Sequence, residues 1–135
     1  MATHKLSADM FEMAVNTNSL VLVDFWATWC GPCRSFGPVF ERASQKHPDI
    51  LFAKVDIDEN PSLATAAGIS SVPTLMAFKQ GSLVHSESGA LPGQALEDVI
   101  AQLRALDMEQ VHAHHTRQAG AQAGTEDDAA DDRGR

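Results

Sequence analysis

The sequence is poor in positive charge, in cysteine and in long apolar runs. Ten lysines and arginines stand against 18 aspartates and glutamates, a formal net charge of −8. So acidic a balance lacks the electrostatic footprint of a nucleic-acid binder and disfavours adhesion to anionic membranes. The N-terminal stretch MATHKLSADMFEMAVN has no continuous apolar segment behind a basic start. The first apolar run, Leu20 to Val23, stops at Asp24. Neither a secretory signal nor a membrane span is expected, which points to a cytoplasmic protein. No G-x-G-x-x-G occurs, so neither a flavin nor a nicotinamide is expected to bind. Apolar residues still make up 44% of 135 positions, enough for one domain plus a tail.

What the chain does have is concentrated in WATWCGPCRSFGPVF, Trp26 to Phe40, which holds its only two cysteines, Cys30 and Cys33. A structural staple, a metal clip and a redox centre compete for the pair. As a staple, the bridge would close about the smallest useful loop, and the stabilisation falls with loop length. A structural metal site needs about four ligands. His47, His112, His114 and His115 are available, but none is spaced with WCGPC as a closed site. In a reducing cytosol, a disulfide is usually transient or catalytic. Redox chemistry is the favoured reading, with no metal.

Around this motif the periodicity alternates between strand and helix. Ser7 is expected to cap a helix carrying Met10, Phe11, Ala14 and Val15 on one stripe, with Asp9 in its first turn. LVLVDFW, Leu20 to Trp26, is apolar on both faces, as in a central strand. A helix should start at the cysteines and run to about Lys46, kinked at Gly37-Pro38. ILFAKVDI, Ile50 to Ile57, reads as a second buried strand. Asn60-Pro61 opens a short helix that Gly68 closes. Thr74 to Lys79 and Ser82 to Ser88 form a hairpin across Gln80-Gly81, and an amphipathic helix starts near Gly93. The sum is an α/β fold, a mixed sheet with helices on both faces. Residues 107–115 extend an apolar helical pattern through Met108 and Val111. Residues 116–135 are too polar to bury a core and are expected to be a disordered acidic tail.

DFWATWCGPC, AKVDIDENP, ISSVPTLMAFKQG and SGAL, in this order and spacing, resemble the thioredoxin family over roughly Leu6 to Leu106. A lone C-x-x-C is weak, whereas WCGPC followed about 40 residues later by V-P-T is specific. The resemblance implies a thioredoxin fold over 1–106 and a protein-disulfide reductase working as a monomeric electron carrier. It also implies re-reduction by a separate NADPH-dependent thioredoxin reductase. Two departures stand out: only about six residues precede the first helix, so the family's first strand should be stunted, and the extension after Leu106 lies outside the minimal domain.

Roles follow residue by residue. Cys30, where a strand gives way to a helix, meets unpaired N–H groups and the positive end of a dipole, which favour a thiolate nucleophile. Cys33, one turn inward, should be less exposed and resolve the mixed disulfide. Gly31 lets the backbone pass close to the sulfurs, and Pro32 restricts the turn. Gly-Pro between the cysteines resembles the reducing members of the superfamily, at about −270 mV against about −120 mV for strong oxidants. Asp24, a carboxylate in an apolar strand, should have a raised pKa, and the resemblance makes it the proton relay of Cys33. Lys54 resembles the family lysine beside that carboxylate. The resemblance implies a cis Pro73 next to the sulfurs, with the Val72 backbone free to pair with an extended substrate. Trp26 reads as core support, Trp29 as a rim residue, and Gly89 with Ala90 as a loop lining the same groove. Arg34 adds positive potential near the sulfurs or is simply solvated. Two other functions stand beside the reductase. An oxidant or isomerase would need a potential of about −180 mV or higher. A non-redox partner module would not turn over disulfides.

Overall fold

The structure, a computed structural model, describes residues 2–113. The chain divides into two units, Met1–Ala105 and Leu106–Arg135. The first contains β1 (Thr3–Lys5), α1 (Ala8–Thr17), β2 (Leu20–Trp26), α2 (Gly31–Lys46), β3 (Leu51–Asp56), α3 (Pro61–Ala66), β4 (Thr74–Lys79), β5 (Ser82–Ser88) and α4 (Gly93–Ala105). In the second, a helical segment covers 108–113, and the Asp107 carboxylate accepts from the Glu109 N–H at 3.0 Å. Residues 116–135, the expected disordered tail, lie outside the described residues, as do His114 and His115.

The sheet runs β1-β3-β2-β4-β5. The β1 and β2 strands flank β3 in parallel, whereas β2–β4 and β4–β5 are antiparallel. The β2 strand is central because its residues are apolar on both faces. Val21, Val23 and Phe25 join Leu6, Ala53, Val55 and Met76 in one core layer, against which Phe11 of α1 and Leu63 of α3 pack. The alternate residues, Leu22 and Asp24, face the other way, the side where Phe40 of α2 meets Phe52 of β3 with ring centres 5.2 Å apart. The α4 helix lies beside α2. The β4–β5 hairpin turns through Gln80 and Gly81, both left-handed with φ of 52° and 82°, the geometry that matches strand twist.

Two local expectations, the Ser7 and Asn60 side-chain caps, are corrected, whereas the first strand is short as expected: Thr3–Lys5 pairs with Phe52–Lys54. It is clipped to α2, where Glu41 accepts the Ala2 N–H at 2.8 Å and the Thr3 hydroxyl at 2.7 Å. The Ser7 side chain does not cap α1, because its hydroxyl is turned to Asp9. Asn60 does not cap α3 with its side chain either. Its Oδ1 instead accepts the Ala8 N–H at 3.0 Å, capping α1 from 52 residues away. Pro38 sits inside α2 without ending it.

Candidate active site

The strand β2 delivers the chain to Ala27-Thr28-Trp29, and Cys30 becomes the N-cap of α2. The cap atom is sulfur: Cys30 Sγ accepts the Cys33 N–H at 3.1 Å, in the place a serine or aspartate oxygen takes at other helix starts. Pro32 contributes no N–H to this first turn, and Gly31 leaves open space beside it. Cys30 and Cys33 are joined by a disulfide with their Cα atoms 5.3 Å apart. The expected difference in exposure does not appear: Cys30 is 4% and Cys33 5% exposed. In the disulfide, Cys30 is covered by the loop across from it, with Sγ 3.5 Å from the Val72 carbonyl oxygen.

That loop carries a cis peptide between Val72 and Pro73. The Pro73 carbonyl accepts the Gly89 N–H at 2.8 Å, which ties the loop to Gly89-Ala90 at the end of β5. Gly89 has φ of 103°, a backbone that a side chain would strain. Trp29 is 64% exposed at the rim, and its indole N–H donates to Asp58 Oδ2 at 2.9 Å. Asp58 was not singled out from the sequence, because nothing in DIDENP marks one carboxylate over the others. Arg34 donates to the Thr28 carbonyl at 3.1 Å, bracing the turn before Cys30.

On β2, two residues before Trp26, lies Asp24, fully buried, with neither carboxylate oxygen hydrogen-bonded among the described residues. Burial pushes its pKa up to about 7, and the positive charge of Lys54 opposes the rise. The two residues are register partners on β2 and β3. The Lys54 ammonium stands 4.9 Å over the Trp26 ring, an attraction that holds it in place. Trp26 packs against the cluster of Ala27, Cys30 and Cys33, and its indole N–H is buried without a partner among the described residues. A cavity of about 560 Å³ opens between Cys33, Gly37, Pro38, Trp26 and Lys54, so the inner sulfur and the lysine border a common space. Cys30, Cys33, Asp24, Lys54, Trp26, Trp29, Val72, Pro73 and Gly89 therefore converge at one end of the sheet. His47, weighed as a metal ligand, is occupied elsewhere. Arg104 donates to its Nδ1 at 3.0 Å, which leaves Nε2 to donate to Glu97 at 2.8 Å.

A disulfide at a helix start, with a buried carboxylate on the preceding strand whose pKa lies near neutrality, is a device for exchanging thiols and moving one proton. The family model described as Thioredoxin matches residues 2–102. A protein of Streptomyces coelicolor described as a thioredoxin 2 is 50% identical over 123 residues, 91% of each chain. The thioredoxin of Alicyclobacillus acidocaldarius is 44% identical over 101 residues, 74% of this chain and 96% of that one. Among solved structures, Plasmodium falciparum thioredoxin aligns with a TM-score of 0.70 and 36% identity, over 74% of this chain and 98% of the other.

Proposed function

This chain belongs to the thioredoxin family, whose members are dithiol–disulfide oxidoreductases with a redox-active disulfide and no prosthetic group, and on that ground we propose how its residues divide the reaction. In the reduced protein, Cys30 is the thiolate. Its sulfur attacks a target disulfide, forming the Cys30–target bond and expelling the first target sulfur, which takes up a proton. Cys33 then gives its proton toward Asp24 and attacks Cys30 Sγ. That step closes the Cys30–Cys33 disulfide and releases the second target sulfur. Two electrons pass from the dithiol to the target. Proximity makes the second attack intramolecular, so the mixed disulfide is short-lived.

The observation that carries this reading is the Cys33 N–H donated to Cys30 Sγ at the first turn of α2. It supplies a donor, and the helix supplies a positive end, at the one sulfur that must be anionic. Lys54 and Trp26 hold the environment of Asp24. Val72, Pro73, Gly89 and Ala90 line the groove for an extended substrate, and Trp29 forms its rim. The electron source we assign is NADPH, through a separate thioredoxin reductase, in the cytoplasm, with the protein acting as a monomer.

Single-cysteine variants test the division. Cys33→Ser should stop insulin-disulfide turnover with NADPH and thioredoxin reductase while leaving Cys30 able to form long-lived mixed disulfides. Cys30→Ser should stop both. Non-reducing gels of lysate exposed to each variant should show dithiol-sensitive adducts with Cys33→Ser alone. Adducts confined to Cys30→Ser would reverse the assignment, and adducts with neither would sink it.

A further inference from the structure

The helix that carries the cysteines also carries unusual charge for this chain. Arg34, Pro38, Arg42 and Lys46 recur every fourth residue along α2, and all four are exposed. They form one slanted ridge, opposite the buried Cys33, Phe36, Phe40 and Ala43. At about 1.5 Å per residue the ridge runs about 18 Å, long enough for five or six residues of extended peptide at about 3.3 Å each. It begins at the residue after Cys33.

Two of these three cations are not spent on the fold. Elsewhere in the domain, Lys5 pairs with Glu59, Lys54 covers Trp26, Lys79 donates to the Leu103 carbonyl at the end of α4, and Arg104 pairs with Asp49. Arg34 uses its guanidinium on Thr28. Arg42 and Lys46 have no hydrogen-bond or ion-pair partner among the described residues. Glu41 is the one acidic residue of α2, and it is turned to β1, where Ala2 and Thr3 occupy both its oxygens. Helix stability accounts for Lys46, a cation in the last turn that complements the dipole, but not for Arg34 at the other end. A cation near a helix start opposes the dipole, and no acidic residue occupies that first turn. In a chain of net charge −8, a bare basic ridge leading away from the reactive sulfurs is an exception to the rest of the surface.

We infer that this α2 ridge is a docking rail for protein disulfide substrates that carry an acidic segment beside the disulfide. The inference rests on the disulfide-reductase reading and names the substrate class the site prefers. Charge complementarity beside a reactive centre acts mainly on the encounter rate, and it weakens as salt shortens the screening length. The overall negative charge makes a polyanion as large as a nucleic acid the poorer occupant.

The test uses the reduced full-length chain and two disulfide-looped peptides that differ only in a flanking hexaglutamate or hexalysine segment. Released thiols are counted chromatographically at low and high salt. The acidic peptide should be reduced about tenfold faster at low salt, and the gap should close at high salt. The pair Arg42→Glu and Lys46→Glu should invert the preference, and the milder Arg42→Gln and Lys46→Gln should abolish it. Reduction of the uncharged hydroxyethyl disulfide should stay within about twofold in every variant. Equal rates for the two peptides in the wild type, or a preference that survives both variant pairs, overturns the rail. Fluorescence anisotropy of a labelled acidic peptide with serines for cysteines reads docking without chemistry. Binding that weakens in the charge-reversed pair supports the rail even if no peptide is reduced, a failure that would count against the reductase reading instead. Tighter binding of a single-stranded oligonucleotide than of that peptide would overturn the assignment to a protein partner.

Discussion

Asp24 shows how one residue sets the pH behaviour of the whole domain. An unfolded chain releases the Asp24 proton through about 3.8, whereas the folded protein keeps it until about 7. Between those values the unfolded state binds fewer protons, so stability falls as pH rises through that window and levels off above it. The full cost is on the order of 4 kcal/mol. Asp24→Asn should remove this slope. The oxidised variant is expected to be about 2–4 kcal/mol more stable than wild type at pH 8, with little difference at pH 4. Denaturant melts at the two pH values check this, and equal stability at pH 8 would mean the carboxylate finds a partner in solution. The same substitution removes the acceptor we propose for the Cys33 proton, so insulin reduction should slow as the fold strengthens.

Among the elements, local pattern and distant contact can be told apart. The bounds of β2, of the β4–β5 hairpin and of the start of α4 follow from apolar alternation, turn residues and a helical stripe, all written within a few neighbouring residues. The meeting of Cys30 with the Val72-Pro73 loop was legible only through the family resemblance, since no local pattern places a V-P-T loop 3.5 Å from a sulfur. Contacts that join distant segments were not legible at all. Glu41 clipping β1, Asp58 holding Trp29 and Asn60 capping α1 each depend on where the fold brings a polar atom. The Asn60 case makes a prediction opposite to the local rule. Asn60→Ala should cost about 1 kcal/mol by leaving the first N–H of α1 without its acceptor, whereas Ser7→Ala should cost less than half of that. Urea midpoints of the two variants decide it. A larger loss for Ser7→Ala would return the cap to the sequence neighbour.

At the scale of the whole molecule, the proposed chemistry belongs to the unit Met1–Ala105. Every residue assigned a part in the reaction lies within it. Residues 116–135 contain five acidic and three basic residues and no large apolar one, so they bring no core and no reactive group. Deleting them should leave insulin reduction within about twofold, and a tenfold loss would show that a working element had been removed. The placement of the two indoles has an optical consequence. The chain contains no tyrosine and two tryptophans. Trp26 packs on the cysteine pair and Trp29 stands at its rim, so nearly all near-ultraviolet emission originates beside one bond. A disulfide in contact with an indole quenches it by accepting an electron, so opening that bond brightens the protein. Trp26→Phe should abolish most of this change and Trp29→Phe should preserve it. The state of a single sulfur–sulfur bond can then be followed by light, without label or cofactor.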